Sequence, residues 1–233
     1  MLNASDGLVQ STFGALTAAD CPLVCPVGVA CGRGGTLYVA DNKTHCVHAF
    51  DTSAAPWRAL PPLGAPFKAG SASNRFDTPQ AVAVFCNDEG GNSADAGRVT
   101  VFVADWKNNR VQVFDAATSE LRASIGSTST GLVRQGSVGV LRQTSAGGSG
   151  AGQLGGPCGL LVHDALLYVA ESINGRVSVF DARAPHEFRG VCGAEGTGTG
   201  QFRSPVGLAI DADAAELYVS DDRMHRVSVH RWF

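Results

Sequence analysis

Four short apolar runs recur along the chain: LYVA at 37–40, VFVA at 101–104, LYVA at 167–170 and LYVS at 217–220. Each leads through a polar turn into a run of alternating character: CVHAF at 46–50, RVQVF at 110–114, RVSVF at 176–180 and RVSVH at 226–230. Period-two alternation marks a strand with one face on a core. It sets Val111 and Val113 opposite Gln112, Val177 and Val179 opposite Ser178, and Val227 and Val229 opposite Ser228. Upstream, a proline opens a further apolar run each time: PVGVA from Pro26, PQAVAV from Pro79, PCGLLV from Pro157 and PVGLAI from Pro205. A first strand position suits proline, whose missing N–H and fixed φ do no harm there. Three units add a fourth run: WRAL at 57–60, LRASIG at 121–126 and FRGVCG at 188–193.

The pattern predicts an all-β chain of repeated four-stranded antiparallel meanders, near 22–64, 75–126, 150–193 and 198–233. One such unit cannot bury both of its faces, so it must stack on its neighbours. Strand counting alone fits a sandwich, a barrel or a propeller. The acid that ends each second strand and the arginine that opens each third flank one tight turn. Asp105 is expected to pair with Arg110, Glu171 with Arg176 and Asp221 with Arg226 as structural ion pairs.

The phrase GTGQF at 198–202, Pro205 with Gly207 behind it, the LYVS strand and the RVSV run together closely resemble the NHL repeat, nearly throughout from Phe202 to Val229. The resemblance extends over about four units. The first departs from it at Cys46, where the arginine should stand. The second is interrupted by CNDEGGNSADAG at 86–97, read as a lengthened surface loop. NHL repeats form propeller blades, so the resemblance implies a β-propeller in a single domain over 1–233. About four blades is fewer than the six more usual for the family, which leaves a small ring or part of a larger propeller. The last unit lacks a fourth strand, and GLVQSTFG at 7–14 is expected to supply it, closing the ring and removing an exposed edge.

Charge and composition narrow the function. The 233 residues include 29 glycines and carry a net charge of −3, so no global basic field draws the chain to DNA. No apolar run approaches the roughly 18–20 residues that span a bilayer. The first residues show neither a basic nor an apolar signal region, and seven cysteines are an odd number, so reduced thiols in a cytoplasmic protein are expected.

Candidate chemistry is sparse. In the propeller lyases that cleave peptidylglycolate, the resemblance implies zinc-binding histidines directly after the strand-opening prolines. Those positions hold Val27, Gln80, Cys158 and Val206. Cys21, Cys25, Cys31 and Cys46 lack a C-x2-C spacing and read as free thiols. The DADAAE loop at 211–216 lacks the central glycine of a calcium loop, and the glycine-rich approaches lead into strands, with no helix to hold a phosphate. No catalytic residue, metal or cofactor is therefore assigned.

Variation within a shared turn is what structure alone does not explain. Lys43 and His45, Trp106, Lys107, Asn108 and Asn109, Ile173 and Asn174, and Arg223, Met224 and His225 occupy equivalent turns. Propeller symmetry gathers such turns on one face, giving a mixed apolar, cationic and amide surface. The expectation is a non-catalytic interaction or substrate-recognition module for a protein or peptide, of the kind NHL propellers supply to ubiquitin-ligase assemblies. The alternatives are an RNA-binding NHL propeller and a propeller lyase or hydrolase.

Overall fold

Every unit begins where a proline ends its approach loop. A computed structural model of the chain describes residues 23–87, 97–126, 132–134 and 147–231. The first unit is a sheet of β1 (Pro26–Cys31), β2 (Thr36–Asp41), β3 (Cys46–Asp51) and β4 (Arg58–Gly64), in that order. The second holds β5 (Pro79–Cys86), β6 (Val99–Asp105), β7 (Arg110–Asp115), β8 (Leu121–Ile125) and β9 (Leu132–Arg134). The sequence predicted four strands there; β9 pairs antiparallel with β8 and makes the sheet five-stranded. The third comprises β10 (Pro157–His163), β11 (Leu166–Glu171), β12 (Arg176–Asp181) and β13 (Phe188–Cys192). A two-residue parallel pair, β14 (Ala194–Glu195) with β15 (Gln201–Phe202), leads to the last unit. That unit has three strands, β16 (Pro205–Asp211), β17 (Glu216–Asp221) and β18 (Arg226–Arg231). The segment 7–14 expected to complete it lies outside the described residues.

Each opening strand shifts register just after its proline, between Pro26 and Gly28, Pro79 and Ala81, Pro157 and Gly159, and Pro205 and Leu208. Such a bulge bends and twists the strand. The opening strands then pack side by side in sequence, β1 on β5, β5 on β10 and β10 on β16, and no comparable packing returns β16 to β1.

The core lies between sheets. Val47, Ala49 and Leu63 of the first unit meet Phe76, Val82, Val101 and Val103 of the second. Val111, Val113 and Ile125 meet Leu154, Leu167 and Val169 of the third. Tyr168 and Val177 meet Phe202, Leu217 and Val219 of the last. In the first three units this apolar face of the third strand is thus covered by the aliphatic face of the unit after it. At the close of each fourth strand stands a glycine with positive φ (Gly64, Gly126 and Gly193) against the approach residue of the next unit (Phe76, Leu154 and Phe202). A Cβ on Gly126 would come within 2.6 Å of Leu154, so both the left-handed backbone and the packing require glycine. Among the described residues no helix is long and apolar enough to cross a membrane.

Candidate binding face

The turns between second and third strands rest on a buried acid. Asp41 Oδ2 accepts the N–H groups of Val24 and Cys25 at 2.6 and 3.0 Å, and Oδ1 those of Lys43 and Thr44. Burial pushes its carboxyl up, but these four backbone donors outweigh it and hold the pKa below the usual carboxylate range. In the second unit Arg110 Nε donates to Asp105 Oδ2 at 2.7 Å, and both side chains are almost wholly buried. The same guanidinium reaches the carbonyls of Ser71, Ala72 and Arg75, clamping the approach loop to the sheet. In the third unit Arg176 Nε donates to Glu171 Oε1 at 2.8 Å and binds the carbonyls of Ser149, Gly150 and Gln153.

The third expected pair is not made. Asp221 spends its oxygens on the N–H groups of Arg203 and Ser204, and among the described residues Arg226 donates only to the carbonyls of Thr197, Gly198 and Gln201. Among the described residues its Nε has no acceptor. Among the described residues the last unit packs against the third unit alone, and none covers the valines of its third strand. The first unit replaces the arginine with Cys46, beside which Thr44 Oγ1 lies 3.0 Å from His48 Nε2. Burial pushes the His48 imidazole below its ordinary value, against the pull of Asp41.

The structure divides the turn residues into two groups. Asn108 is buried, its amide donating to Asp105 and to the Gly70 carbonyl, so it is not available to a partner. Asn109, left-handed at φ 50°, accepts the Gly156 N–H with its side-chain oxygen. Asn174 donates to Glu171 and the Gly148 carbonyl. His45 Nδ1 accepts the Thr78 N–H at 3.1 Å. These four hold the loops together, which the sequence did not separate from recognition because an amide or imidazole in a turn suits either role. Left facing outward are Lys43, Lys107, Ile173 (60% exposed), Arg223 and His225, with Trp106 and Met224 half-buried. Trp106 Nε1 donates to Ser172 Oγ, tying the second unit's turn to the third's and placing Ile173 next to the indole's turn. Thr197, Arg203 and the turn 222–225 enclose a groove of about 500 Å³. Arg203 has no counterpart in the sequence reading: it precedes a strand-opening proline and became visible only through this groove.

The positions after the prolines do not form a ligand set. Val27 and Val206 are exposed, while Gln80 and Cys158 are half-buried. Among the described residues no three His, Cys, Asp or Glu side chains come together as a metal site. Cys158 Sγ donates to the Pro205 carbonyl, and burial pushes its thiol up to about 11. Thiolate is the reactive form. Iodoacetamide at about pH 8 should therefore label exposed Cys31 well before Cys158 or fully buried Cys46, read by peptide mass spectrometry. Equal rates at Cys31 and Cys158 would contradict this placement.

Known proteins agree with this geometry at the level of fold. The family model described as "NHL repeat" matches residues 23–50. Among solved structures, a computationally designed protein, Ika4, superposes with a TM-score of 0.51 at 9% identity, covering 92% of this chain and 95% of its own. A chain from a nidogen/laminin complex superposes with a TM-score of 0.56 at 15% identity, covering 90% of this chain; the chain spans 62% of that one's length. No curated protein matches by sequence.

Proposed function

We propose that this chain, an array of NHL-type propeller blades, is a non-catalytic recognition module whose turn face takes an acidic protein or peptide segment carrying an apolar side chain. One observation carries the reading. On a chain of net charge −3, the exposed side chains of this face include Lys43 and Lys107 of the first and second units' turns, Arg203 and Arg223 of the last unit, and Ile173 of the third unit's turn. The nearby acids are Asp222 and Glu195, both exposed, Glu195 lying against Gly175 of the third unit's turn, and Asp77, which is engaged by Lys107 at 3.4 Å, a surface pair of little energetic weight. Cations around a hydrophobic centre steer acidic partners and anchor them by burying one apolar group. Trp106 and the groove beside Arg223 extend the area such a segment would cover. A place in a ubiquitin-ligase assembly would be one use of such a module, with the transfer chemistry belonging to another chain.

A random peptide library selected on the wild-type chain tests this. Recovered sequences should be rich in Asp and Glu around an apolar residue. Ile173→Asp and Arg223→Glu should each weaken the best peptide about tenfold or more. Undiminished affinity in both variants would put recognition elsewhere. Tighter binding of single-stranded RNA than of any peptide, with steep salt dependence, would favour the RNA reading instead.

A further inference from the structure

The two ends of the blade array are unequal to its middle. At each internal junction the first valine of the third strand is sealed: Val47, Val111 and Val177 are fully buried, and Val179 is half-buried. In the last unit the equivalent Val227 and Val229 stand 62% and 51% exposed. In the first unit the covering position is bare as well. Val29 is 68% exposed, whereas its counterpart Val82 is buried. Because both ends are exposed in the same molecule, they do not cover each other within one chain.

Two further features mark these ends as halves of one junction. At two of the three internal junctions a glycine receives the carbonyl of the next unit, and Ala81 holds the equivalent place at the other. A Cβ on Gly28 would lie 2.8 Å from the Gln80 oxygen, and one on Gly159 would strike the Val206 oxygen. Gly207 holds this place in the last unit, yet a Cβ there would meet only Ser220 of its own sheet. The residue in the first unit that corresponds to Gln80 and Val206 is Val27, itself 44% exposed. The turn-closing residue repeats the pattern. His45 and Asn109 each accept an N–H from the next unit's approach, from Thr78 and Gly156. His225 has the same left-handed backbone and no such donor among the described residues. Cys25 and Ser204, which correspond to Thr78, each turn their N–H to the acid of their own unit, Asp41 and Asp221.

We infer that a second copy of this chain docks head to tail, its first unit seated on the last unit of the other as each blade sits on the one before. Val29 and Leu37 of one copy cover Val227 and Val229 of the other, and the Val27 carbonyl enters the space over Gly207. The occupant is an NHL unit, because three internal junctions show what fits this face, and the first unit is the one whose matching surface is free. Each copy carries one of each surface, so a pair that closes on itself satisfies both ends and leaves no bare blade face.

Light scattering on the full chain over a concentration series tests this. The wild type should run at twice 24.1 kDa and dissociate on dilution. Gly207→Val should run at 24.1 kDa with an unchanged β-sheet spectrum, since only the rotatable Ser220 hydroxyl is near that position within the chain. Val29→Asp and Val229→Asp should each do the same. Mixing those two variants should restore association at higher concentration, because one of the two junctions is then unmutated on both sides. A wild type that stays at 24.1 kDa up to about 100 μM overturns the inference, including when another segment of the same chain covers the valines. So does a dimer that survives both Gly207→Val and Val229→Asp.

Discussion

Arg110→Ala is expected to cost about 3–5 kcal/mol of stability, measured by urea unfolding, the range seen when one partner of a buried ion pair is removed. The guanidinium satisfies Asp105 and three loop carbonyls at once, at Ser71, Ala72 and Arg75. Alanine leaves the fully buried Asp105 carboxyl without its guanidinium, while Ser71, Ala72 and Arg75 are exposed residues whose carbonyls water can serve. Arg226→Ala removes the equivalent side chain from a unit where it is not paired with Asp221, and its carbonyl partners at Thr197 and Gly198 are exposed. About 1 kcal/mol is expected there. Equal costs at the two positions would show that the pair at Asp105 is not what makes the arginine matter.

The cost at Arg110 should also depend on pH. Burial already pushes the Asp105 carboxyl above the usual carboxylate range, with Arg110 as the largest opposing influence. Without the arginine the folded-state pKa rises further. A group with a raised folded pKa contributes full stability below its unfolded value and loses it as pH climbs through the folded one. The gap between variant and wild type should therefore widen upward from the carboxylate range. A gap that narrows as pH rises would mean the carboxyl relaxes into solvent.

Phe202→Ala is the second large effect, about 3–5 kcal/mol for truncating a fully buried phenylalanine. Its ring lies in the cluster of Tyr168 and Val177 from the third unit with Leu217 and Val219 from the last, and packs 5.1 Å from His230. It is therefore the wedge of the final junction. A stacked array is stabilised by neighbour contacts, and a terminal unit has them on one side. Hydrogen exchange should show β16, β17 and β18 losing protection first, while β6 and β11 keep theirs. Uniform loss across all four units would mean the array unfolds as one block and that Phe202 is no special joint.

Much of the blade was legible because its signals are local. The prolines at 26, 79, 157 and 205 open strands in the structure as the sequence implied, since proline's constraint acts on its own residue. The valine alternation at 111–113 and 177–179 marked a buried face for the same reason. Gln112 and Ser178 went further than alternation foretold: both are fully buried, bound to the Arg75 carbonyl and to Glu171. The turn face was only half legible. Asn108, Asn109, Asn174 and His45 looked like recognition residues and also act as fasteners, which the sequence could not show because their acceptors and donors, Gly70, Gly156, Gly148 and Thr78, come from loops distant in sequence.

The sequence by itself determined the strands, their order within each unit and the need of every unit for a neighbour, since period, turn chemistry and strand-opening proline act over a few residues. Tertiary structure decided which neighbours are present. RVSVF and RVSVH differ by one residue, yet Val177 is sealed and Val227 is bare, and Arg176 holds its acid while Arg226 does not. Burial and ion pairing are properties of the junction between units, and no single unit encodes whether another stands beside it.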